Sequence, residues 1–320
     1  MLEKIKIQIE KKMTKSEEDK SMQKLYDKEV NLFLNAVLEA DSIDQLAIKI
    51  KVKKIDDLLA RSDFRQATPY IEDLLANKDL LLEKDFYKIL VGRAIILINS
   101  GCYNEALELL SDLEKVDNRL YKCQAKLLTG VAYIYITRNT GKKHLDEAEE
   151  LLIQAQDLLN PEEKKGNFQV LVNMALIYFE RSKFDKALDY YKEALEWATC
   201  EKDKGEVYTD MARIFILKSK MEIAKDYLDM AERIFVKMSN YTEVMLAWNL
   251  YVRGLWYKKD GKFFNAINCL EMALTTFIEK EFFCEAADVS YQLYAINNFI
   301  DNDKAEEYLS DYKYYSQLIS

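Results

Sequence analysis

Gln169 and Asn173, then Glu206, Asp210 and Arg213, then Trp248, Tyr251 and Lys258 carry the chemistry this chain is equipped for, the chemistry of recognition. A carboxamide both donates and accepts, so Asn173 can clamp the N–H and C=O of an extended peptide. Arg213 can fork onto a carboxylate, and Trp248 with Tyr251 can seat an apolar side chain. Residues four and seven apart, such as Glu206, Asp210 and Arg213, share one face of a helix.

Covalent and metal chemistry find little support. Nucleophilic catalysis by Ser or Cys needs a nearby general base, and the single histidine, His144, lies alone in a polar stretch. No glycine-rich phosphate loop exists, because the glycines are scattered singly. The cysteines, Cys102, Cys123, Cys200, Cys269 and Cys284, are odd in number and form no C-x-x-C pair. A disulfide framework and a structural zinc site both fall away, and a reducing, cytoplasmic setting is expected. Carboxylates abound but alternate with lysines, as over 105–115 and 193–203, the pattern of solvated helices. The expectation is a non-enzymatic protein without a metal or cofactor.

Composition narrows the elements that hold these residues. Two prolines and eight glycines in 320 residues cannot supply the turns of an all-β fold. A 49% hydrophobic and 32% charged chain suits amphipathic helices with one buried and one wet face. The 21 tyrosines and 14 phenylalanines read as interlocking core pieces of stacked helices. A formal net charge of -9 lacks the electrostatic footprint of a nucleic-acid binder. No apolar run reaches transmembrane length, and the first residues lack a signal-peptide core.

Internal repeats decide the architecture. Leu171, Met174, Ala175, Tyr178, Ala187 and Tyr191 set a frame of small and large positions over two helices broken at Arg181-Ser182-Lys183. Downstream it recurs as Tyr208, Met211, Ala212, Phe215, Ala224 and Leu228, then as Leu250, Arg253, Gly254, Tyr257, Ala266 and Leu270. Upstream copies carry Leu90, Ala94, Ala106 and Leu110, and Gly130, Tyr133, Ala148 and Leu152, the latter with a longer connection around Asn139–Lys143. Weaker copies stand around Ala67 and Ala305. The small residues opening the second helices, Ala67, Ala106, Ala148, Ala187, Ala224, Ala266 and Ala305, are spaced 39, 42, 39, 37, 42 and 39 apart by subtraction. A small residue on each helix lets an antiparallel pair approach closely, and the large one a turn later fills the groove. No pair buries its face alone, so neighbours must stack.

This frame resembles the tetratricopeptide repeat superfamily over roughly residues 44–315. The resemblance implies an all-α, right-handed superhelical solenoid of about six to seven helix pairs that binds partners on its concave face. With the first helix of each pair lining that face, the stripe named at the outset points inward. Within the superfamily, the extended repeats and Lys/Ile/Tyr/Asn-rich sequence resemble the peptide-pheromone receptors of low-GC Gram-positive bacteria. These include response-regulator phosphatases, helix-turn-helix regulators and phage lysis–lysogeny receptors. Members bind a short linear peptide in the groove, often through an inward Asn, and Asn173 matches such a position. The resemblance implies a quorum-sensing-type peptide receptor. A general scaffold or adaptor for protein complexes stands as the alternative, ahead of a DNA-binding regulator.

Two domains are expected, an N-terminal helical adaptor or cap over 1–43 and the repeat domain over 44–320. The front is shorter than a phosphatase-type three-helix bundle needs, which implies a reduced effector region. The segment 42–59 has some flavour of a helix-turn-helix, but its turn position falls on Lys51 and a later apolar slot on Asp57. Its lysines, at 49, 51, 53 and 54, read as a solvated face or docking patch. At the other end, Tyr312, Tyr314 and Tyr315 either cap the array or form a homodimer contact.

Overall fold

A computed structural model describes residues 42–141, 143–160, 162–238 and 242–319. The adaptor expected over 1–43 lies almost wholly outside the described residues. Fourteen α-helices, and no strand, occur among the described residues: α1 (Ile43–Ala60), α2 (Phe64–Ala76), α3 (Glu83–Asn99), α4 (Tyr103–Glu114), α5 (Arg119–Thr140), α6 (Leu145–Asp157), α7 (Lys164–Glu180), α8 (Phe184–Trp197), α9 (Glu201–Leu217), α10 (Met221–Met238), α11 (Glu243–Lys259), α12 (Phe263–Glu279), α13 (Phe283–Asn297) and α14 (Asn302–Leu318). They form seven consecutive antiparallel pairs. The chain divides into two compact units, residues 1–92 and 93–320, with the division inside α3.

The repeat frame holds. Each of the seven alanines is the fourth residue of the second helix of its pair, and none is more than 2% exposed. The first-helix positions are equally tight. A Cβ added to Gly254 would lie 2.7 Å from Leu270, so only glycine lets α11 and α12 come this close. Tyr191, Phe235 and Phe277 are fully buried, as expected of core pieces.

The turns share one geometry. After α1, α3, α7, α9 and α11 a single residue is left-handed: Ser62, Gly101, Ser182, Ser219 and Gly261, with φ between 58° and 81°. The next amide then reaches back to close the helix end, as Lys183 N–H does to the Tyr178 carbonyl at 2.8 Å. The variation in repeat spacing has visible sources. α5 is a long helix of 22 residues, ending at Thr140 with a left-handed Gly141, so Asn139 and Thr140 belong to the helix rather than to a connection.

In the first unit, α1 is one uninterrupted helix with Lys51 in its interior, so no helix-turn-helix forms there. Its lysines are not a freely solvated face either. Lys49 is 7% exposed, and Lys51 pairs with Asp73 of the packed α2.

In the second unit, the beginning and end of the array meet. Tyr103 at the start of α4 packs its hydroxyl 3.4 Å from Cys284 Sγ on α13. Asn139 Nδ2 donates to Tyr103 Oη at 2.6 Å and to Cys284 Sγ at 3.2 Å. A Cβ at Gly101 would lie 2.9 Å from Ile319. The tyrosine-rich end does cap α13, since Tyr315 stacks on Phe283 and Tyr312 meets Tyr291, whereas Tyr314 stays exposed.

Candidate functional site

α9 places Glu206, Asp210 and Arg213 on one face, all half-buried. Asp210 is held at both oxygens. Trp248 of α11 donates its indole N–H to Oδ1 at 3.0 Å, and Tyr191 of α8 donates to Oδ2 at 3.2 Å. Trp248 packs against Tyr251 with ring centroids 5.1 Å apart, and Tyr251 is buried. Arg213 lies over two rings, 4.4 Å from the Phe179 centroid and 5.4 Å from that of Trp248. It makes neither a hydrogen bond nor an ion pair with a described residue.

A second arginine reaches the same indole from another repeat. Arg138, in the last turn of α5, sits 5.8 Å from the Trp248 centroid and pairs with Asp288 of α13. Beside it Glu285 is 7% exposed. Burial drives the Glu285 carboxyl up to about 7, with Asp288 pushing the same way against the pull of Arg138. Burial likewise raises Glu206 to about 7, reinforced by the charge of Asp210. Asp210 is also raised by burial, although the Trp248 hydrogen bond, Arg213 and Tyr191 oppose the shift.

The expected stripe is thus divided. Glu206, Asp210, Arg213, Trp248 and Tyr251 come together. Lys258 faces α13, donating to Gln292 Oε1 at 2.8 Å, and burial lowers its ammonium. Gln169 is exposed, and Asn173 turns one Nδ2–H back to the Gln169 carbonyl at 2.8 Å, so part of its clamp is spent within α7. Arg138, Glu285, Asp288 and Tyr191 were outside the expected stripe. Tyr191 was visible only as a core position, and the other three meet through the winding of the array. Among the described residues no group of three or more His, Cys, Asp or Glu could hold a metal ion. No described helix is long and apolar enough to cross a membrane.

The fold defines a helical-repeat protein, with polar and aromatic groups of successive repeats gathered around Trp248. The tetratricopeptide repeat model matches residues 168–196. The photosystem I assembly protein Ycf3 of Prochlorococcus marinus is 30% identical over 141 residues, 41% of this chain and 76% of that protein. The chain belongs to the tetratricopeptide repeat family.

Solved structures extend the likeness in fold to the whole length. The Rap conjugation gene regulator of the plasmid pLS20, in complex with a Phr peptide, aligns with a TM-score of 0.69 at 13% identity over 99% of this chain and 93% of its own. A Rap protein complexed with competence and sporulation factor gives 0.70 at 11% identity, over 99% and 94%. The apo quorum sensor NprR from B. thuringiensis gives 0.52 at 13%, over 92% and 97%.

Proposed function

We propose that the second unit is a non-enzymatic, cytoplasmic receptor whose inner face binds a short linear peptide and relays that binding to a partner protein. The observation that carries this reading is the Asp210–Trp248–Arg213 group, in which polar and aromatic side chains from successive repeats converge on one face. Asn173 and Gln169 would hold the peptide backbone along α7, with Glu206 marking a charged subsite. The peptide complexes of the Rap proteins, alike in fold, support the reading by analogy.

Melting the protein in the small-peptide fraction of its producing cell tests it. Ligand at about a hundred times its dissociation constant should add roughly 2.7 kcal/mol. The gain should shrink in Trp248→Ala and in Asn173→Ala. No shift with any fraction would overturn the reading.

A scaffold for protein complexes is the second reading, favoured by one surface. Phe264 and Phe299 are 74% and 88% exposed, next to Phe263 and Ile300 at the ends of neighbouring helices. Apolar patches of this kind mark protein contacts. Pull-downs that lose their partner in Phe264→Ser, with the inner face intact, would favour it.

A further inference from the structure

We infer that the seam joining α4 and α5 to α13, through which the beginning and end of the second unit hold each other, is a latch that a proton on Glu285 keeps shut. This is a property of the fold, independent of what the inner face binds.

The seam is made by one face of the first two turns of α13. Cys284 and Asp288 are four residues apart, so they lie one above the other, with Glu285 beside them. Cys284 meets Tyr103 of α4 at 3.4 Å and Asn139 of α5 at 3.2 Å, while Asp288 pairs with Arg138 of α5. Glu285 thus sits between the two contacts, and it is 7% exposed. α5 and α13 are not stacked along their length as neighbouring helices are, so a few side chains carry the seam.

The groups facing Glu285 are Arg138 and Tyr135 of α5, Arg213 of α9, Tyr251 of α11 and, on its own helix, Asp288 and Cys284. Tyr103 of α4 adjoins the thiol, and Glu206 of α9 acts on Tyr135. Burial pushes the phenols and the thiol up, so they stay neutral around pH 7. What remains is a count of charges. Arg138 and Arg213 balance Asp288 and Asp210, one turn before Arg213. Protons on Glu285 and Glu206 complete a neutral set. When Glu285 loses its proton, a further carboxylate stands unbalanced beside Asp288 in a buried place, which is costly. Water relieves that charge once α13 parts from α5.

The sign follows from the two states. Shut, the Glu285 carboxyl is raised by burial to about 7, with Asp288 adding to the rise against Arg138. Open and hydrated, it returns to the ordinary value of about 4.3. Between those values each pH unit favours the open seam by roughly ten-fold, and above about 7 the preference levels off because both states are ionised.

Hydrogen exchange of the full chain, corrected for the intrinsic amide rate and followed from about pH 5 to 8, reads the latch. Peptides from α4 and α13 should lose protection together, by roughly ten-fold per unit up to about 7 and little beyond, while α8, outside the seam, keeps its own. Glu285→Gln keeps the shape without the charge and should stay protected throughout. In Asp288→Asn the Glu285 carboxylate becomes the balancing charge for Arg138, so the step should shrink and move to lower pH. A flat native profile, a loss shared equally by α8, or a step unchanged in Glu285→Gln overturns the latch. If the melting curve shows that Glu285→Gln does not fold, Asp288→Asn decides, and an unaltered step there overturns the inference.

Discussion

Two charged clusters in the second unit are built from the same residue types and behave in opposite ways. At the α6–α7–α8 junction, Glu149 accepts from Tyr178 and pairs with Arg181, which also pairs with Asp146, while Lys186 donates to Tyr178 at 2.7 Å. Burial would raise the Glu149 carboxyl, but those hydrogen bonds and the arginine charge outweigh it and hold it low. Around Trp248, Glu206 and Glu285 are pushed up to about 7, and Arg213 makes no hydrogen bond or ion pair with a described residue. The first cluster is complete within the fold. The second holds two acids raised by burial beside an arginine packed on rings.

The largest effect should come from breaking the complete cluster. Arg181→Ala strands Glu149 beside Tyr178 and should cost about 2–3 kcal/mol in urea unfolding, leaving peptide retention unaltered. A loss below about 0.5 kcal/mol would dissolve the contrast.

Next comes pH. Glu206 and Glu285 hold their protons more tightly in the fold than in the unfolded chain. Their contribution is therefore fully present below the ordinary carboxylate range and is lost as pH rises through about 7. Melting temperature should climb as pH falls from 8 towards 5. Glu285→Gln should flatten that slope, adding on the order of 1 kcal/mol at pH 8 and little at pH 5. Glu149 runs the other way, its stabilisation fading on acidification below its ordinary range.

Arg213→Gln should lose no more than about 1 kcal/mol of stability, the size of the cation–ring contacts. Any loss of peptide binding should then exceed its folding loss, the reverse of Arg181→Ala. The smallest effect is local to the complete cluster. Ser182, left-handed at φ 58°, follows Arg181, and Ser182→Gly should add about 0.5 kcal/mol, measured by denaturant midpoint.

Much of this was legible along the chain because repeats are local. The spacing of Ala106, Ala148, Ala187 and Ala224 reports helix pairing between neighbours, and each is fully buried. The shared face of Glu206, Asp210 and Arg213 was legible from helix phase alone. It did not reach Lys258, which donates to Gln292 of α13, because the rotation of each helix about its axis depends on how its neighbours pack. Arg138 and Asp288, 150 residues apart, could not be paired from sequence. Their meeting depends on the accumulated pitch of several repeats, which no single repeat encodes.

The contacts that bring Tyr103 to Cys284 and Gly101 to Ile319 have a consequence for how the second unit folds. An open array with only nearest-neighbour interfaces frays from its ends and unfolds in stages. Here the first and last repeats shield one another across a sequence separation of 181 residues. The terminal pairs are thereby tied to the stability of the middle, and unfolding becomes a more nearly all-or-none event. The loop that must close first is long, so the same clasp slows the search for the native state.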